Sequence, residues 1–182
     1  MPEPSEHELN AWMARLAQGE RDAFDPLFRA LYPRALRLAR ARLGEDYAAD
    51  AAQNILEKVF RGASRFLSGS PVLPWFYAIA SNEIRAMARR GRHGAFALDL
   101  QDEAGENASP ISDNPERLLV DKELMAALEQ AIESLDAQAA QAIRAVLGRG
   151  EVPEQSSAPA FRKRVSRAYG RLRLLLGGSY GA

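Results

Sequence analysis

The side chains best suited to binding chemistry lie between Tyr47 and Phe60, in the stretch YAADAAQNILEKVF. Acids and amides recur there at i, i+3, i+4 and i+7, which is one side of a helix. We call them the acidic–amide stripe: Asp50, Gln53, Asn54 and Glu57. Most polar stripes are solvated faces, but such faces usually mix lysine with glutamate. This stripe contains acceptors and amides without a cation, so it also suits docking to a basic partner helix.

A second polar row follows in the stretch from Trp75 to Arg92. Its members recur every four residues with an amide beside them: Tyr77, Ser81, Arg85 and Arg89, with Asn82. Aromatic rings stack on unpaired bases, guanidinium groups bind phosphates and amides reach base edges. Residues 67–74, LSGSPVLP, have the serine, glycine and proline content of a loop. Trp75 or Tyr77 taken alone is more often a core residue, but loop and row together favour single-stranded nucleic acid.

Two further groups of basic residues could bind anions. The last predicted helix carries a basic row: Arg162, Lys163, Arg164, Arg167 and Arg171. Such a row is commonly solvated, or it is a generic phosphate-binding face. Arginines without an intervening acid also lie between Arg29 and Arg42, and they would suit an acidic surface or phosphates.

The elements that position these side chains are predicted to be helices. Alanine, leucine, arginine and glutamate dominate the chain and β-branched residues are few, which favours helix over strand. The predicted helix starts are a capping box of Ser5 and Glu8, then Asp22, Asp46, Pro74, Pro115, Asp136 and about Ala160. The helix that begins near Asp46 should reach about Phe66, and Pro33 should kink the helix before it.

Apolar residues at helical spacing predict which side of each helix faces the core. In the helix after Asp22 this side includes Phe24, Phe28 and Tyr32. In the later helices it includes Leu118, Met125, Leu128, Ile132, Ile143, Val146, Leu147, Phe161, Val165, Ala168 and Leu172.

Charge is unevenly distributed although the formal net charge is zero. Residues 99–123 carry a net charge of −6 between two more basic parts of the chain, which is typical of a linker. The expected fold is therefore all-α, an N-terminal helical bundle joined by an acidic linker to a small C-terminal helical domain. The expected bounds are residues 1–96 for the bundle, 97–114 for the linker, 115–177 for the C-terminal domain and 178–182 for a tail.

Several classes of function find no support in the sequence. The chain has no cysteine and two histidines far apart, so thiolate metal sites are excluded and no residues have metal-ligand spacing. It has no glycine-rich phosphate loop, no HExxH motif and no nucleophile elbow, so neither an enzyme nor a cofactor is expected. No apolar run approaches a membrane span or a signal peptide, which favours the cytoplasm.

Both polar segments resemble one family. YAADAAQNILEKVF resembles the polymerase-binding segment of the extracytoplasmic-function (ECF) sigma factors of the sigma-70 family, with matches at Ala48, Asp50, Gln53, Ile55, Lys58, Val59 and Phe60. PWFYAIASNEIRAMARRGR resembles the promoter-melting segment of the same family. The resemblance covers about residues 10–93, and it implies that the acidic–amide stripe binds core RNA polymerase.

The resemblance also implies contacts to promoter DNA, both double- and single-stranded. The loop from Leu67 to Val72 would capture a flipped base of the minus-ten element. The implied minus-ten contacts are Leu67, Ser68, Gly69, Ser70, Trp75, Tyr77, Ser81, Asn82, Arg85 and Arg89.

The C-terminal part matches the family less completely. FRKRVSRAYGRLRLLL resembles the recognition helix of the sigma C-terminal domain, and its basic row would contact a minus-thirty-five element. A full helix-turn-helix needs a further helix and a turn before it. Residues 151–160 contain two prolines and are shorter than the corresponding part of the family, so the helix-turn-helix is degenerate.

Two functions from different classes fit these observations. The first is a sigma factor, which binds core RNA polymerase and directs promoter recognition and melting, with an anti-sigma factor as a further partner. The second is a sigma-like interaction protein that docks on polymerase, or on a sigma regulator, without productive minus-thirty-five recognition.

The acidic linker is a solvated tether or a nucleic-acid mimic inside a polymerase channel, and composition favours the tether.

Overall fold

The computed structural model describes residues 3–92, 115–150 and 157–177. These residues form α-helices and two short 3₁₀ turns without a strand among them, which confirms the all-α prediction. The helices are α1 (Glu6–Ala17), α2 (Phe24–Leu43), α3 (Glu45–Arg61), α4 (Val72–Arg92), α5 (Pro115–Glu133), α6 (Ala137–Val146) and α7 (Ala158–Leu175). The predicted linker and tail lie outside the described residues, and the domain bounds stay a prediction. No helix in the described ranges is both long and apolar enough to cross a membrane.

Two helix starts form as their sequences predict. At α1 the amide of Glu8 donates to Ser5 Oγ at 3.3 Å, and the amide of Ser5 donates to Glu8 Oε2 at 2.8 Å. That backbone bond lowers the pKa of the Glu8 carboxyl. At α6 the carboxylate of Asp136 accepts the amide of Ala139 at 2.9 Å. Each cap satisfies amides that a helix start leaves without partners.

Other helix ends differ from prediction. α3 begins at Glu45, just before the expected cap Asp46, because Gly44 adopts a φ of 85° that ends α2 abruptly. α3 also stops at Arg61, well before the predicted end. α4 begins at Val72, ahead of Pro74, and the side chain of Asn10 accepts the Val72 amide at 2.8 Å. α2 continues through Pro33, whose predicted kink stays a prediction.

The main core lies where α1, α3 and α4 pack on α2. Its fully buried side chains are Leu9, Met13, Leu27, Leu31, Leu38, Ile55, Val59, Val72, Trp75 and Phe76. Burying one large aliphatic or aromatic side chain is worth about 1.5–3 kcal/mol. This core therefore fixes the relative positions of α3 and α4, the helices that carry the two polar rows.

α5 is shared between two hydrophobic clusters. Val120 and Ala127 are buried in the main core, whereas Ala131 and Ile132 join α6 and α7 in a second cluster. The inward stripe predicted for α5 is wrong at Leu118 and Met125, which are exposed. A helix that contacts different neighbours at its two ends turns different sides inward, so its sequence lacks one continuous apolar stripe.

Similar corrections apply in the smaller cluster. Ile143 is buried as predicted, but Val146 and Leu147 at the end of α6 are exposed. In α7 Ala168 and Leu172 are buried, whereas Phe161 and Val165 are half-buried. The buried residues of α6 are Ala139, Ala140, Ala142 and Ile143, so its last turn is not part of the packed side.

One buried acid links α3 to α4. Glu83 is 3% exposed and forms ion pairs with Lys58 of α3 and with Arg90 two turns further along α4. Burial raises the pKa of its carboxyl, but the hydrogen bonds from Lys58 and Arg90 together outweigh burial and lower it. Glu83 is therefore charged at neutral pH and stabilises the α3–α4 pairing.

We expect Glu83→Gln to lower the free energy of unfolding near neutral pH by about 1–3 kcal/mol, the cost of weakening charged hydrogen bonds to a buried group. A carboxyl with a lowered folded pKa contributes stability above its ordinary value of 4.5 and loses it as the pH falls through the folded value. The difference between parent and variant should thus shrink below that pH. Urea unfolding across a pH series measures it.

Glu133→Gln, which changes an exposed acid of α5, is the matched control and should show neither effect. Equal losses in the two variants, or a loss in Glu83→Gln that does not depend on pH, would contradict the assigned role.

Candidate functional site

The acidic–amide stripe lies on the outer side of α3. Asp50, Gln53 and Glu57 are exposed and Asn54 is half-buried. The opposite side of the helix is buried through Ala52, Ile55, Leu56 and Val59. The stripe is not free of cations, because Glu57 forms an ion pair with Arg61 one turn later. Arg61 lies one residue beyond the stretch from Tyr47 to Phe60, so the pattern within that stretch does not contain this cation.

Aromatic rings form a surface cluster beside the stripe. Phe24, Phe28 and Tyr32 from α2 meet Phe60 from α3, and we call these residues the aromatic cluster. Ring centroids are 4.5 Å apart for Phe24 and Phe60, and 5.5 Å apart for Phe28 and Tyr32. Phe24 is 39% exposed and Phe28 is 37% exposed. A cavity of about 510 Å³ is lined by the cluster together with Leu56 and the stripe residues Gln53 and Glu57.

The prediction that Phe24 and Phe28 face the core is wrong. α2 presents two apolar lines, and the core takes the one that contains Leu27, Leu31 and Leu38. The aromatic line lies beside it and turns toward the surface. The signal was in the sequence, because the apolar side of α2 is wider than a single packing seam needs.

A basic cleft runs along the exposed side of α4. Asn82, Arg85 and Arg89 of the second polar row line it, and Ser81 is half-buried beside them. Arg85 donates to the backbone oxygen of Ser81 at 3.2 Å. The cleft is about 750 Å³ and is also lined by Lys58, Arg61, Arg65 and, from α7, Arg173. Its lining includes one acid, Glu83, which pairs with Lys58. The remaining cations, with the amide of Asn82, suit an anionic backbone with accessible base edges.

The two aromatic residues of α4 do not line this cleft. Trp75 is 2% exposed and meets the ring of Phe66 edge-on at 5.3 Å. Tyr77 is 4% exposed, and its hydroxyl donates to Glu123 of α5 at 2.7 Å. Burial, together with that bond, raises the pKa of the Tyr77 hydroxyl. In this arrangement neither ring is exposed to stack on a base, and the contact of Trp75 and Tyr77 with DNA stays a prediction.

The loop before α4 is only partly exposed. Leu67 is 58% exposed, and Ser68 and Gly69 are exposed beside it, whereas Ser70 is buried. The amide of Ser70 donates to the carbonyl of Leu67 at 3.0 Å, which closes a tight turn. Gly69 has a φ of 87° in that turn, a conformation that favours glycine. The exposed side of the turn therefore consists of residues 67–69.

The basic row of α7 is mostly exposed. Arg162, Lys163 and Arg167 are exposed and Arg164 is half-buried. Arg171 is exposed but forms an ion pair with Asp136, the residue that caps α6. Part of the row is thus neutralised within the protein. Most of the shortened segment before α7, residues 151–156, lies outside the described residues.

In the part of the chain that the structure describes, no group of three or more histidine or acidic side chains is placed to hold a metal ion. The candidate sites are two surfaces on adjacent helices, an aromatic and acidic one at α2 and α3 and a basic one along α4.

If the aromatic cluster belongs to the surface, removing one of its rings should cost little stability. We expect Phe28→Ala to lower the free energy of unfolding by about 1 kcal/mol, the scale of one aromatic pair. Leu31→Ala, in the buried line of the same helix, should cost about 2–5 kcal/mol because it leaves a cavity. Urea denaturation of the two variants measures the contrast, and similar losses would place Phe28 in the core.

Comparison with known proteins identifies the family. The family model described as "Sigma-70 region 2" matches residues 27–93. RNA polymerase sigma factor CarQ of Myxococcus xanthus is 31% identical over 172 residues, which are 91% of this chain and 95% of CarQ. ECF RNA polymerase sigma factor SigK of Mycobacterium ulcerans (strain Agy99) is 30% identical over 123 residues, which are 62% of this chain and 65% of SigK.

Among solved structures, that of CnrH in complex with the cytosolic domain of CnrY resembles the chain with a TM-score of 0.42 and 19% identity. The match covers 94% of this chain and 98% of that one, but a TM-score this low carries no argument about fold. The sequence relationship, which spans nearly the whole of both chains for CarQ, carries the assignment. The chain belongs to the ECF group of the sigma-70 family, and it is an RNA polymerase sigma factor that acts in transcription initiation.

Proposed function

We propose that this sigma factor docks on core RNA polymerase through one composite surface, the acidic–amide stripe together with the aromatic cluster. The observation that carries the proposal is the shared cavity, in which exposed Phe24 and Phe28 lie beside Gln53 and Glu57. Buried aromatic anchors surrounded by polar groups are typical of protein interfaces. A basic partner helix could bury the rings and pair with the acids at once.

The exposed side of α4 is proposed to hold promoter DNA at the minus-ten element. Arg85 and Arg89 supply charge for phosphates, and Asn82 supplies an amide for base edges. Leu67, Ser68 and Gly69 form the exposed part of the proposed base-capturing turn. The exposed side of α4 would bind double-stranded DNA first and retain one strand after melting. Ser81 would lie at the edge of this DNA contact.

The remaining proposals concern the second half of the chain. Residues 115–177 would form a separate C-terminal domain, and Arg162, Lys163, Arg164 and Arg167 are the cations it offers to a minus-thirty-five element.

An anti-sigma factor is a further proposed partner, and the proposed place of action is the cytoplasm, with the polymerase. The alternative is that the protein docks on polymerase, or on a sigma regulator, without productive minus-thirty-five recognition. In-vitro transcription with core polymerase, with and without this protein, separates the two.

The composite surface can be tested by two kinds of substitution. Asp50→Arg with Glu57→Arg should weaken binding to core polymerase about tenfold at low salt and less at high salt, because exposed charges are screened. Phe28→Ala should weaken binding about tenfold at every salt concentration, since it removes an apolar anchor. Fluorescence anisotropy titrations with core polymerase measure both.

Glu6→Arg with Glu133→Arg is the matched control, since it makes the same change of charge at exposed sites outside the surface. Wild-type affinity for the Asp50/Glu57 variant, or an equal loss in the control, would count decisively against docking through the stripe.

The α4 cleft makes a separate prediction. Arg85→Ala with Arg89→Ala should reduce open-complex formation at least tenfold while leaving the affinity for core polymerase nearly unchanged. Each lost phosphate contact should also lower, by about one, the slope of log promoter affinity against log salt concentration. Permanganate footprints of the melted region report the first effect. Arg21→Ala with Arg29→Ala, at exposed positions away from the cleft, is the control. Unchanged footprints in the Arg85/Arg89 variant would remove the cleft from the mechanism.

A further inference from the structure

The turn proposed to capture a base is anchored on both of its sides. On the side of α3, Phe66 is buried and its ring meets that of Trp75 edge-on at 5.3 Å. On the side of α4, Ser70 and Val72 are buried. Between these anchors the residues 67–69 are exposed. A binding loop that is already held in one shape loses little freedom when it binds, which favours a tight and selective contact.

The anchor on the α4 side comes from a distant part of the chain. Val72 is the first residue of α4, and its amide donates to Oδ1 of Asn10 in α1 at 2.8 Å. The residue before it is Pro71, whose side chain has no acceptor for that amide. The start of α4 is therefore capped by a side chain 62 positions earlier in the sequence. A buried amide without an acceptor is costly, so this bond stabilises the observed position of Val72.

Asn10 is itself held in place by the packing of α1. Leu9 and Met13, beside it on the helix, are 1% and 0% exposed in the main core. Arg15 near the end of α1 forms an ion pair with Glu20 at 2.7 Å, which ties the helix to the segment that leads into α2. Because α1 is fixed along its length, the half-buried side chain of Asn10 presents its oxygen at a defined place.

Asn10 lies outside the part of the chain that matches the family model, which begins at residue 27. We propose that Asn10 is a positioning residue for base capture, which fixes the turn of residues 67–69 from α1 through the amide of Val72. Without this bond the first turn of α4 frays, and residues 67–69 sample several positions. This role rests on the proposed function of the turn, in which it holds a flipped base.

The absence of cysteine from the sequence allows the turn to be labelled selectively. A nitroxide spin label at Ser68→Cys reports the motion of the turn in the free protein by electron paramagnetic resonance. We expect Asn10→Ala to make the label more mobile. Asn10→Asp keeps an acceptor for the Val72 amide and should restore the parent spectrum. Gln18→Ala, which removes an exposed amide at the other end of α1, is the matched control and should change nothing.

The spectra decide whether Asn10 positions the turn. An unchanged spectrum in Asn10→Ala, equal mobility in Asn10→Ala and Asn10→Asp, or the same change in Gln18→Ala would overturn the proposal. Circular dichroism checks that each variant keeps its helices.

The consequence for promoter melting is measured with the holoenzyme, on a promoter fragment selected by run-off transcription of genomic DNA. Asn10→Ala should reduce open-complex formation about tenfold, the effect of one lost hydrogen bond to a buried group, with unchanged affinity for core polymerase. Asn10→Asp should retain parental opening. An equal loss of core affinity in Asn10→Ala would contradict a role confined to the turn.

A variant of the turn itself separates this inference from the proposed function. Leu67→Ala with Ser68→Ala should reduce open-complex formation if the turn captures a base. Reduced opening in this variant with full opening in Asn10→Ala would overturn the role of Asn10 alone. Full opening in both variants would overturn base capture by the turn as well.

Discussion

The packing of α2 against α3 is the interaction on which the rest of the molecule depends. Each helix buries one apolar side in the shared core, through Leu27, Leu31, Ile55 and Val59 among others. The sides of α2 and α3 that face away from this core are available for other partners. The outer sides of this pair carry the acidic–amide stripe and the aromatic cluster, whereas another side of α2 carries the arginines that meet α5. The packing of α2 on α3 thereby positions both the proposed docking surface and the ion pairs to α5.

Much of this arrangement could be predicted from local chemistry. The all-α class follows from composition and apolar spacing, and the caps at Ser5 and Asp136 follow from the side chains that helix starts require. The exposure of Asp50, Gln53 and Glu57 could be predicted because periodicity separates them from the buried alanines and Ile55 on the same helix. Each of these features depends on residues within a few helical turns of each other, so it can be read from a short stretch of sequence.

Features that depend on contacts between distant parts of the chain could not be predicted in this way. Tyr77 shares its row with exposed Arg85, but its ring is buried in the main core and its hydroxyl meets Glu123 of α5. The pairs between the α2 arginines and α5 likewise join residues more than seventy positions apart. Phe24 and Phe28 are outside the core because the core on α2 was already filled by leucines. The helices that pack against α2 determine which of its two apolar lines becomes buried.

Glu83 constrains how this protein can vary. Its carboxylate is held by Lys58 from α3 and Arg90 from α4, so the helix proposed to meet polymerase and the helix proposed to meet DNA share one buried charge. If α4 alone is exchanged for that of a related factor without this acid, Lys58 loses its ion-pair partner. Chimaeras that transfer promoter preference should therefore exchange α3 and α4 together.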